Sequence, residues 1–330
     1  KTKDIKVSIV LPFRNAEKYL KACLDSITNQ NHKNWQLLAV DDHSKDNSAN
    51  ILKSYQDSRI QLLKNEGYGI LAGLQTAQKH INGECVTRMD ADDIMPRDKL
   101  KNLLTVIQSN SEGIIATGYV NYFGENEISE GYLRYQNWLN KTAKTNSFYE
   151  HIYRECVVAS PNWMMSRADF EAMDGFNKLK YPEDYDMVFQ WKKHSLTIKS
   201  CDYNTHHWRE HKERTSRNSE TYQQESFFRL KIAYFLKEFQ IRKIYLLGTE
   251  RKGILTAKLL KENSSDFQWF THRSKQIGSE KENKKLEDVK ELPRDGICIL
   301  AIYPNTAERK RLELFLEKKG YKIGSTAHYF

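Results

Sequence analysis

Acidic residues follow directly after two short, largely apolar segments of the sequence. Asp41-Asp42 comes after Gln36–Val40, and Asp90-Ala-Asp92-Asp93 comes after Cys85–Met89. Hard divalent cations prefer carboxylate oxygens, and Mg²⁺ is usually held by one or two carboxylates together with substrate phosphates. A cation held in this way neutralises charge on a departing phosphate group. The pattern therefore indicates metal-assisted phosphate chemistry, with an Asp-rich turn as the alternative.

A third acidic segment, Tyr181-Pro-Glu183-Asp184-Tyr-Asp186, precedes the amphipathic run Met187–Trp191. Acidic residues in the first turn of a helix satisfy its free N–H groups, which is one interpretation of the segment. A hydroxyl group is a poor nucleophile, and a carboxylate within hydrogen-bond reach activates it by accepting its proton. The segment is therefore also a candidate source of a general base.

Histidines are concentrated in Thr205-His-His-Trp-Arg209-Glu-His211, with Cys201 nearby. Three histidines at this spacing resemble part of a zinc site. No further Cys or His cluster completes a tetrahedral set of ligands, so we do not expect structural zinc.

The elements that must position these residues alternate between strand and helix over the first hundred residues. Continuous apolar runs are typical of central parallel strands, and apolar residues three or four apart are typical of amphipathic helices. The predicted strands are Val7–Leu11 (ended by Pro12), Gln36–Val40, Ile60–Leu63 and Cys85–Met89, and the predicted helices are Ala16–Asn29, Ser48–Gln56 and Gly67–His80. This rhythm predicts an α/β sheet that binds ligands beyond the carboxyl ends of its strands.

A less regular region and a second α/β unit follow. Residues 113–219 lack a clear period and are rich in aromatic residues and histidine, as in a substrate-binding half. The later predicted elements are the helices Thr221–Phe239, Gly253–Glu262 and Ala307–Lys319 and the strands Lys243–Leu247, Phe267–Phe270, Ile297–Ile302 and Tyr321–Ile323. We therefore expect a first domain at 1–220, a linking helix at 221–240 and a smaller domain at 241–330.

The composition excludes some classes of protein. Hydrophobic residues make up 39% of the 330 residues, which fits a packed globular chain, and no apolar run approaches the ~20 residues that cross a bilayer. The net charge of +9 suits anionic partners, but no nucleic-acid recognition motif accompanies it. The five widely spaced cysteines are typical of buried thiols in a reducing compartment and predict a cytoplasmic protein.

Three segments in order resemble the donor half of family 2 glycosyltransferases, which have the GT-A fold. They are Val7–Asn15, Leu38–Ser44 with Asp46, and Arg88–Asp93. The resemblance covers residues from about 5 to 220. It implies a mixed sheet flanked by helices in the first domain, which would be the catalytic one.

The resemblance assigns the donor side of the site residue by residue. It implies that Pro12, Arg14 and Asp42 bind the nucleotide, that Asp90 lies near the ribose and the metal, and that Asp92 binds Mn²⁺ or Mg²⁺. Arg14 replaces the commoner Tyr, and a guanidinium can also stack on a base.

The acceptor side is assigned in the same way. The resemblance implies that Asp184 is the general base, with Glu183 as the second candidate. His211 is a metal or diphosphate ligand, and Arg209 and Arg217 contact phosphate, with an ordinary surface position as the alternative for each.

Trp163 lies in Ser160–Ser166, which resembles the acceptor segment of the family. An indole ring packs well on the face of a sugar, so Trp163 is a candidate acceptor contact. A tryptophan in the hydrophobic core is the equal alternative.

The last domain resembles a dinucleotide-binding unit only in part. Tyr245–Gly253 has the strand, turn and helix, but Glu250 stands where a glycine must let pyrophosphate approach. We expect a degenerate Rossmann-like module used for assembly, as in a homo-oligomer, or for positioning the acceptor.

The resemblance implies an inverting, metal-dependent glycosyltransferase that uses a nucleotide-sugar donor, with a UDP-sugar expected first. Its acceptor would be a saccharide, a lipid-linked sugar or a glycoprotein in bacterial polysaccharide or glycoconjugate assembly. A lipid-linked acceptor would bring the protein to the inner face of the membrane as a peripheral protein. The alternatives are a nucleotidyltransferase and a non-catalytic nucleotide-sugar-binding protein.

Overall fold

The computed structural model describes residues 4–110, 112–211, 220–302 and 305–330. The chain divides into two compact units. The first consists of Lys1–Phe148 and Val157–Asn218, and the second of Tyr149–Cys156 and Ser219–Phe330. The second unit is thus discontinuous in sequence.

A seven-stranded mixed sheet forms the centre of the first unit, within the residues that the structure describes. Its strands are β1 (Val7–Phe13), β2 (Trp35–Asp41), β3 (Ile60–Lys64), β4 (Cys85–Arg88), β5 (Ile114–Gly124), β6 (Met164–Ser166) and β7 (Thr197–Glu210). Their order is β3-β2-β1-β4-β6-β5-β7, and neighbouring strands are parallel except that β6 runs antiparallel to β4 and β5. The helices are α1 (Glu17–Thr28), α2 (Ser48–Ser54), α3 (Gly69–Gln78), α4 (Lys99–Gln108), α5 (Glu130–Thr145), α6 (Arg167–Ala172) and α7 (Glu183–Lys193). The predicted mixed sheet flanked by helices is confirmed.

The strand β1 is central, and its burial explains its continuous apolar sequence. The prediction that Pro12 ends this strand is wrong, because β1 continues to Phe13 and Pro12 pairs with Val40. Proline removes one donor from the ladder, a loss that matters less near the end of a strand. The strands β1, β2 and β4 run parallel, so their carboxyl ends, where the acidic residues follow, lie at the same edge.

Two long strands, β5 and β7, occupy the region whose sequence pattern is irregular. They pair in parallel over most of their length, with shifts of register near Thr117 and Tyr119. Such bulges interrupt the alternation of polar and apolar residues. Neither strand was predicted from the sequence, because this alternation is the pattern that marks a half-buried strand.

A second sheet, of six strands in the described residues, forms the second unit. Its strands are β8 (Lys243–Leu247), β9 (Phe267–Thr271), β10 (Glu280–Lys281), β11 (Lys284–Asp288), β12 (Gly296–Leu300) and β13 (Ala327–Tyr329), and the helices of the unit are α8 (Glu220–Glu238), α9 (Arg251–Glu262) and α10 (Thr306–Lys318). The order is β10-β11-β9-β8-β12-β13, with only β10 and β11 antiparallel among the pairs described. The predicted second α/β unit is present.

The last strand differs from its prediction. It is Ala327–Tyr329, whereas Tyr321–Ile323 is not a strand. The backbone N–H of Tyr321 donates to the carbonyl of Leu316 (2.9 Å) and closes the end of α10. In this segment Tyr321 is buried in the core, whereas Lys322 is exposed.

Two segments belong to the second unit although the sequence analysis placed them elsewhere. The helix α8 was expected to be a link, and Tyr149–Cys156 was expected in the first domain. The ring of Tyr153 stacks on Phe330 (5.6 Å between centroids), and its hydroxyl donates to Glu238 (2.6 Å). These contacts with residues distant in sequence explain the grouping.

The cysteines are buried and have free thiols, as their spacing predicted. Burial raises the pKa of the Cys23 thiol, so it is not a reactive thiolate. No helix in the described ranges combines the length and the apolar character that a bilayer crossing requires.

The turn after β8 is closed by groups of the protein itself. Glu250 forms an ion pair with Arg273, and Lys281 donates to the carbonyl of Thr249 (2.9 Å). The helix α9 packs so closely on this turn that a Cβ added at Gly253 would clash with the carbonyl oxygen of Gly248. The glycines of the partial dinucleotide motif thus serve close packing of helix on strand.

We expect Gly253→Ala to lower the free energy of unfolding of the second unit by about 1–3 kcal/mol, because the new methyl group overpacks this contact. Thermal and urea unfolding followed by circular dichroism would measure the change. Gly131→Ala is the matched control, since Gly131 also lies in the first turn of a helix but has space for a methyl group. Equal stability of both variants would contradict the packing role.

Candidate active site

The residues Asp90, Ala91 and Asp92, called the DxD segment below, follow β4 at the carboxyl edge of the first sheet. The Oδ2 atom of Asp92 lies 2.8 Å from Nε2 of His211, which comes directly after β7. The carboxylate of Asp92 is partly exposed. The structure therefore brings together the two residues that the sequence analysis assigned to a metal.

Arg209 ties the end of β7 to the DxD segment. Its Nε donates to the carbonyl oxygen of Asp92 (2.6 Å), and its backbone N–H donates to Oδ1 of Asp93 (2.7 Å). The guanidinium lies over the rings of Tyr19 (4.7 Å) and Phe123 (4.5 Å). A delocalised cation held between two aromatic faces is fixed in orientation.

Asp93 and His206 form a buried pair beneath this segment. Nε2 of His206 lies 2.8 Å from Oδ2 of Asp93, and both side chains are inaccessible to solvent. Lys99 is also buried and donates to the carbonyl of Pro161 (2.5 Å), and burial lowers its pKa to about 7. The sequence analysis missed this support. The extra aspartate after the DxD pair and the doubled histidine at 206–207 were the available signals.

Arg88 connects the DxD segment with the start of α7. Its Nε donates to Oδ1 of Asp90 (2.9 Å) and its Nη1 donates to Oε1 of Glu183 (3.0 Å), and only 4% of the residue is exposed. Burial alone would lower the pKa of Arg88, but the carboxylates of Asp90 and Glu183 raise it, so the guanidinium stays charged. A charge in a buried strand must be paired, and this was the signal in the sequence for Arg88.

Asp184 is half-buried at the first turn of α7. Burial raises the pKa of its carboxyl to about 7, with a further contribution from the charge of Glu183 and an opposing one from Arg88. Its Oδ1 accepts a hydrogen bond from the backbone N–H of Tyr185 (2.8 Å). A carboxyl that titrates near neutrality is suited to accept a proton from a hydroxyl group.

The nucleotide side assigned from the sequence is also clustered. Asp42 is buried, and its carboxylate accepts hydrogen bonds from Nδ2 of Asn65 (2.8 Å) and the backbone N–H of Gly69 (3.0 Å). Nη1 of Arg14 lies 4.0 Å from Oδ2 of Asp42, and Pro12 precedes Arg14 at the end of β1. Asp42 thus holds the loop after β3 against the end of β2.

The structure does not place Trp163 or Arg217 in the candidate site. Trp163 is 3% exposed, its ring packs edge-to-face on Phe176 and Trp191, and its Nε1 donates to the carbonyl of Ser160 (2.9 Å). Its indole is a core side chain here and presents no face to an acceptor, which corrects the expectation of a sugar contact. Arg217 lies outside the described residues.

The residues at the DxD segment fit a divalent cation. A carboxylate oxygen and an imidazole nitrogen 2.8 Å apart have the spacing of adjacent ligands on one cation, about 3 Å when both bonds are ~2.1 Å. Among residues 4–110, 112–211, 220–302 and 305–330, no three His, Cys, Asp or Glu side chains converge on one point. A cation held by Asp92 and His211 would thus take its other ligands from water and substrate phosphates, as Mg²⁺ usually does.

The family model of glycosyl transferase family 2 matches residues 8–173, half of the chain, which includes the strands β1 to β6 and the DxD segment. The chain belongs to this family. Among curated proteins it is 33% identical over 156 residues to the glycosyltransferase GlyA of Streptococcus pneumoniae, covering 46% of this chain and 22% of GlyA. It is 37% identical over 120 residues to the Escherichia coli UDP-Glc:alpha-D-GlcNAc-diphosphoundecaprenol beta-1,3-glucosyltransferase WfgD, covering 36% of this chain and 46% of WfgD. The chain thus matches less than half the length of either relative.

Solved structures agree on the fold. The S. aureus TarS 1–349 structure in complex with UDP-GlcNAc superimposes with a TM-score of 0.54 at 17% identity, covering 78% of this chain and 72% of that one. The mannosyltransferase PcManGT from Pyrobaculum calidifontis, in complex with GDP-Man and Mn²⁺, gives a TM-score of 0.53 at 15% identity, covering 77% and 69%. These likenesses support the GT-A fold of the first unit.

We expect Arg88→Met to lower the free energy of unfolding by about 3–5 kcal/mol at neutral pH, because it leaves the buried Glu183 and the partly buried Asp90 without their cation. Chemical unfolding would measure this. Arg167→Met is the control: its exposed ion pair with Glu171 (3.6 Å) should contribute less than about 1 kcal/mol. A similar small loss in both variants would show that Arg88 does not hold Asp90 and Glu183 together.

Proposed function

We propose that this protein is an inverting, metal-dependent glycosyltransferase that moves a sugar from a nucleotide-diphosphate sugar to an acceptor hydroxyl. The observation that carries the proposal is the double contact of Arg88 with Asp90 and Glu183. It joins the segment suited to a donor diphosphate with the segment suited to a general base. A simple nucleotide-binding protein has no need for the second of these.

Asp184 is the proposed base. Glu183 accepts a hydrogen bond from Nη1 of Arg88 (3.0 Å), so its carboxylate already serves to hold the start of α7. Asp184 has the raised pKa and partial exposure that proton transfer from a sugar hydroxyl requires. One base, with no second carboxylate assigned as nucleophile, supports direct displacement and inversion at the anomeric carbon.

The donor side is assigned to the other cluster. Asp92 and His211 would hold Mn²⁺ or Mg²⁺, which when bound neutralises charge on the departing diphosphate. Arg209 adds a fixed positive charge beside them, and Arg217 remains a proposed phosphate contact. Pro12, Arg14, Asp42 and Asp90 would bind the nucleoside, with a UDP-sugar as the first donor to test.

The acceptor is proposed from the relatives. The name of WfgD specifies a lipid-linked acceptor, and TuaG of Bacillus subtilis, 32% identical over 116 residues, is a putative teichuronic acid glycosyltransferase. We therefore propose a saccharide or lipid-linked acceptor in bacterial polysaccharide assembly, with peripheral contact at the cytoplasmic face of the membrane. The net charge of +9 would favour an anionic surface.

A donor screen tests the function as a whole. Purified protein would be incubated with UDP-, GDP- and dTDP-sugars and Mn²⁺, and release of the nucleoside diphosphate measured with and without EDTA. We expect turnover of one nucleotide class, lost on chelation. The proposal would be overturned if the protein neither turned over nor bound any of these nucleotides.

We expect Asp92→Ala to abolish detectable transfer and to weaken Mn²⁺-dependent binding of the nucleoside diphosphate at least about tenfold, because it removes a charged ligand of the cation. Isothermal titration with and without Mn²⁺ measures the binding. Asp202→Ala, at an exposed aspartate of β7, should leave both unchanged. Metal-independent binding in the wild type would contradict this role.

We expect Asp184→Asn to lower the transfer rate by about 10²- to 10⁴-fold, while donor binding stays within about twofold. Wild-type transfer should fall as the pH drops through about 7, because only the ionised carboxylate accepts the proton.

The raised folded-state pKa of Asp184 stabilises the protein at low pH, and this stability is lost as the pH rises through 7. Asp184→Asn should therefore melt at a higher temperature than the wild type at pH 8. Unchanged transfer in the variant would remove the assignment.

A further inference from the structure

An exposed aromatic side chain stands beside the nucleotide cluster. Tyr68 is 81% exposed and precedes Gly69, whose backbone N–H donates to the carboxylate of Asp42 (3.0 Å). One face of the Tyr68 ring stacks on His43, with centroids 4.5 Å apart and planes 26° apart. The high exposure of Tyr68 leaves its other face open to solvent.

Hydrogen bonds near His43 hold the stacked rings of His43 and Tyr68 in place. Nε2 of His43 is hydrogen-bonded to the carbonyl oxygen of Gly67 (2.8 Å), so His43 contacts the Tyr68 loop through its backbone as well as its ring. His43 itself has a φ of 57°, a left-handed conformation that is uncommon outside glycine. The next residue, Ser44, secures it by donating its N–H to Oδ1 of Asp41 (2.9 Å). A platform supported in this way loses little conformational freedom when a ligand binds.

The space beside the platform is open. Gly69 has a φ of 83°, and in the described residues no atom lies within 4 Å of the place where its Cβ would stand. The exposed guanidinium of Arg14 lies 4.0 Å from the carboxylate of Asp42. A flat aromatic face next to charged groups suits a ligand that is itself flat and polar at its edges. Nucleobases have this character, and bases stack on aromatic side chains regardless of their identity.

We propose that Tyr68, backed by His43, is the platform on which the base of the donor nucleotide stacks. The proposal rests on the proposed function and deepens it. Because every base has a π-face, the platform contributes affinity for pyrimidine and purine nucleotides alike. Selection between pyrimidine and purine nucleotides would then depend on polar groups that contact the edge of the base. Tyr68 is thus a binding residue that does not set base specificity.

The test is the binding of UDP, GDP and pyrophosphate to the full chain with Mn²⁺, measured by isothermal titration. Tyr68→Ala should weaken UDP and GDP by a similar factor of about 5 to 150, the equivalent of the ~1–3 kcal/mol that a stacked base contributes. Pyrophosphate, which has no base, should bind as tightly as to the wild type. Tyr68→Phe should bind all three normally, since the phenyl ring keeps the stacking face.

Two further variants act as controls. Tyr203→Ala removes another exposed tyrosine of the first unit, 61% exposed on β7, and should change nothing. His43→Asn keeps a residue that tolerates the left-handed backbone but removes the supporting ring. It should weaken nucleotide binding less than Tyr68→Ala does.

Several outcomes would overturn the proposal. If Tyr68→Ala binds UDP and GDP like the wild type, or loses pyrophosphate equally, Tyr68 is not a base platform. In the unmodified protein, saturation of aromatic protein protons should transfer to the base protons of bound nucleotide, and its absence would have the same meaning. If the wild type binds pyrophosphate but neither nucleotide, or binds nothing, the proposed function itself fails, so the two failures are distinguishable.

Discussion

The buried guanidinium of Arg88 is the interaction on which the candidate site depends. A cation at the end of a central strand is stable only when carboxylates surround it. Asp90 and Glu183 meet this requirement from segments almost a hundred residues apart. The start of α7 is therefore held at the end of β4. Asp184, the neighbour of Glu183, comes to the same region, and burial raises the pKa of its carboxyl to about 7.

A second set of contacts fixes the other side of the DxD segment. The backbone N–H of Arg209 and the ring of His206 both bond to the carboxylate of Asp93, so the end of the long strand β7 is fixed beside the DxD segment. Asp93 is buried by these contacts, whereas Asp92 stays partly exposed beside His211. Within this acidic segment, Asp93 thus holds the loop in place, and the carboxylate of Asp92 remains accessible to solvent.

Much of this could be predicted from local patterns, and the errors have physical causes. The strands β1, β2 and β4 were predictable because strands buried on both faces are continuously apolar, and acidic residues stood out at the ends of β2 and β4. The pair β5 and β7 was not, because bulges break the alternation that marks a strand. The role of Arg88 was overlooked because its second partner, Glu183, is 95 residues away in the sequence. Trp163 could not be assigned at all from composition, because a core indole and a sugar-binding indole look alike until burial is known.

The excursion of Tyr149–Cys156 into the second unit has a consequence for how such a chain can be divided or recombined. Cutting near residue 220 would separate Tyr153 from Phe330 and Glu238, so this large aromatic side chain would lose its stacking and hydrogen-bond partners. A single fusion joint therefore cannot exchange the second unit for another one. Both pieces of that unit must be inherited together, so an evolutionary exchange of partners would need two coordinated joints, one of them inside the sequence of the first unit.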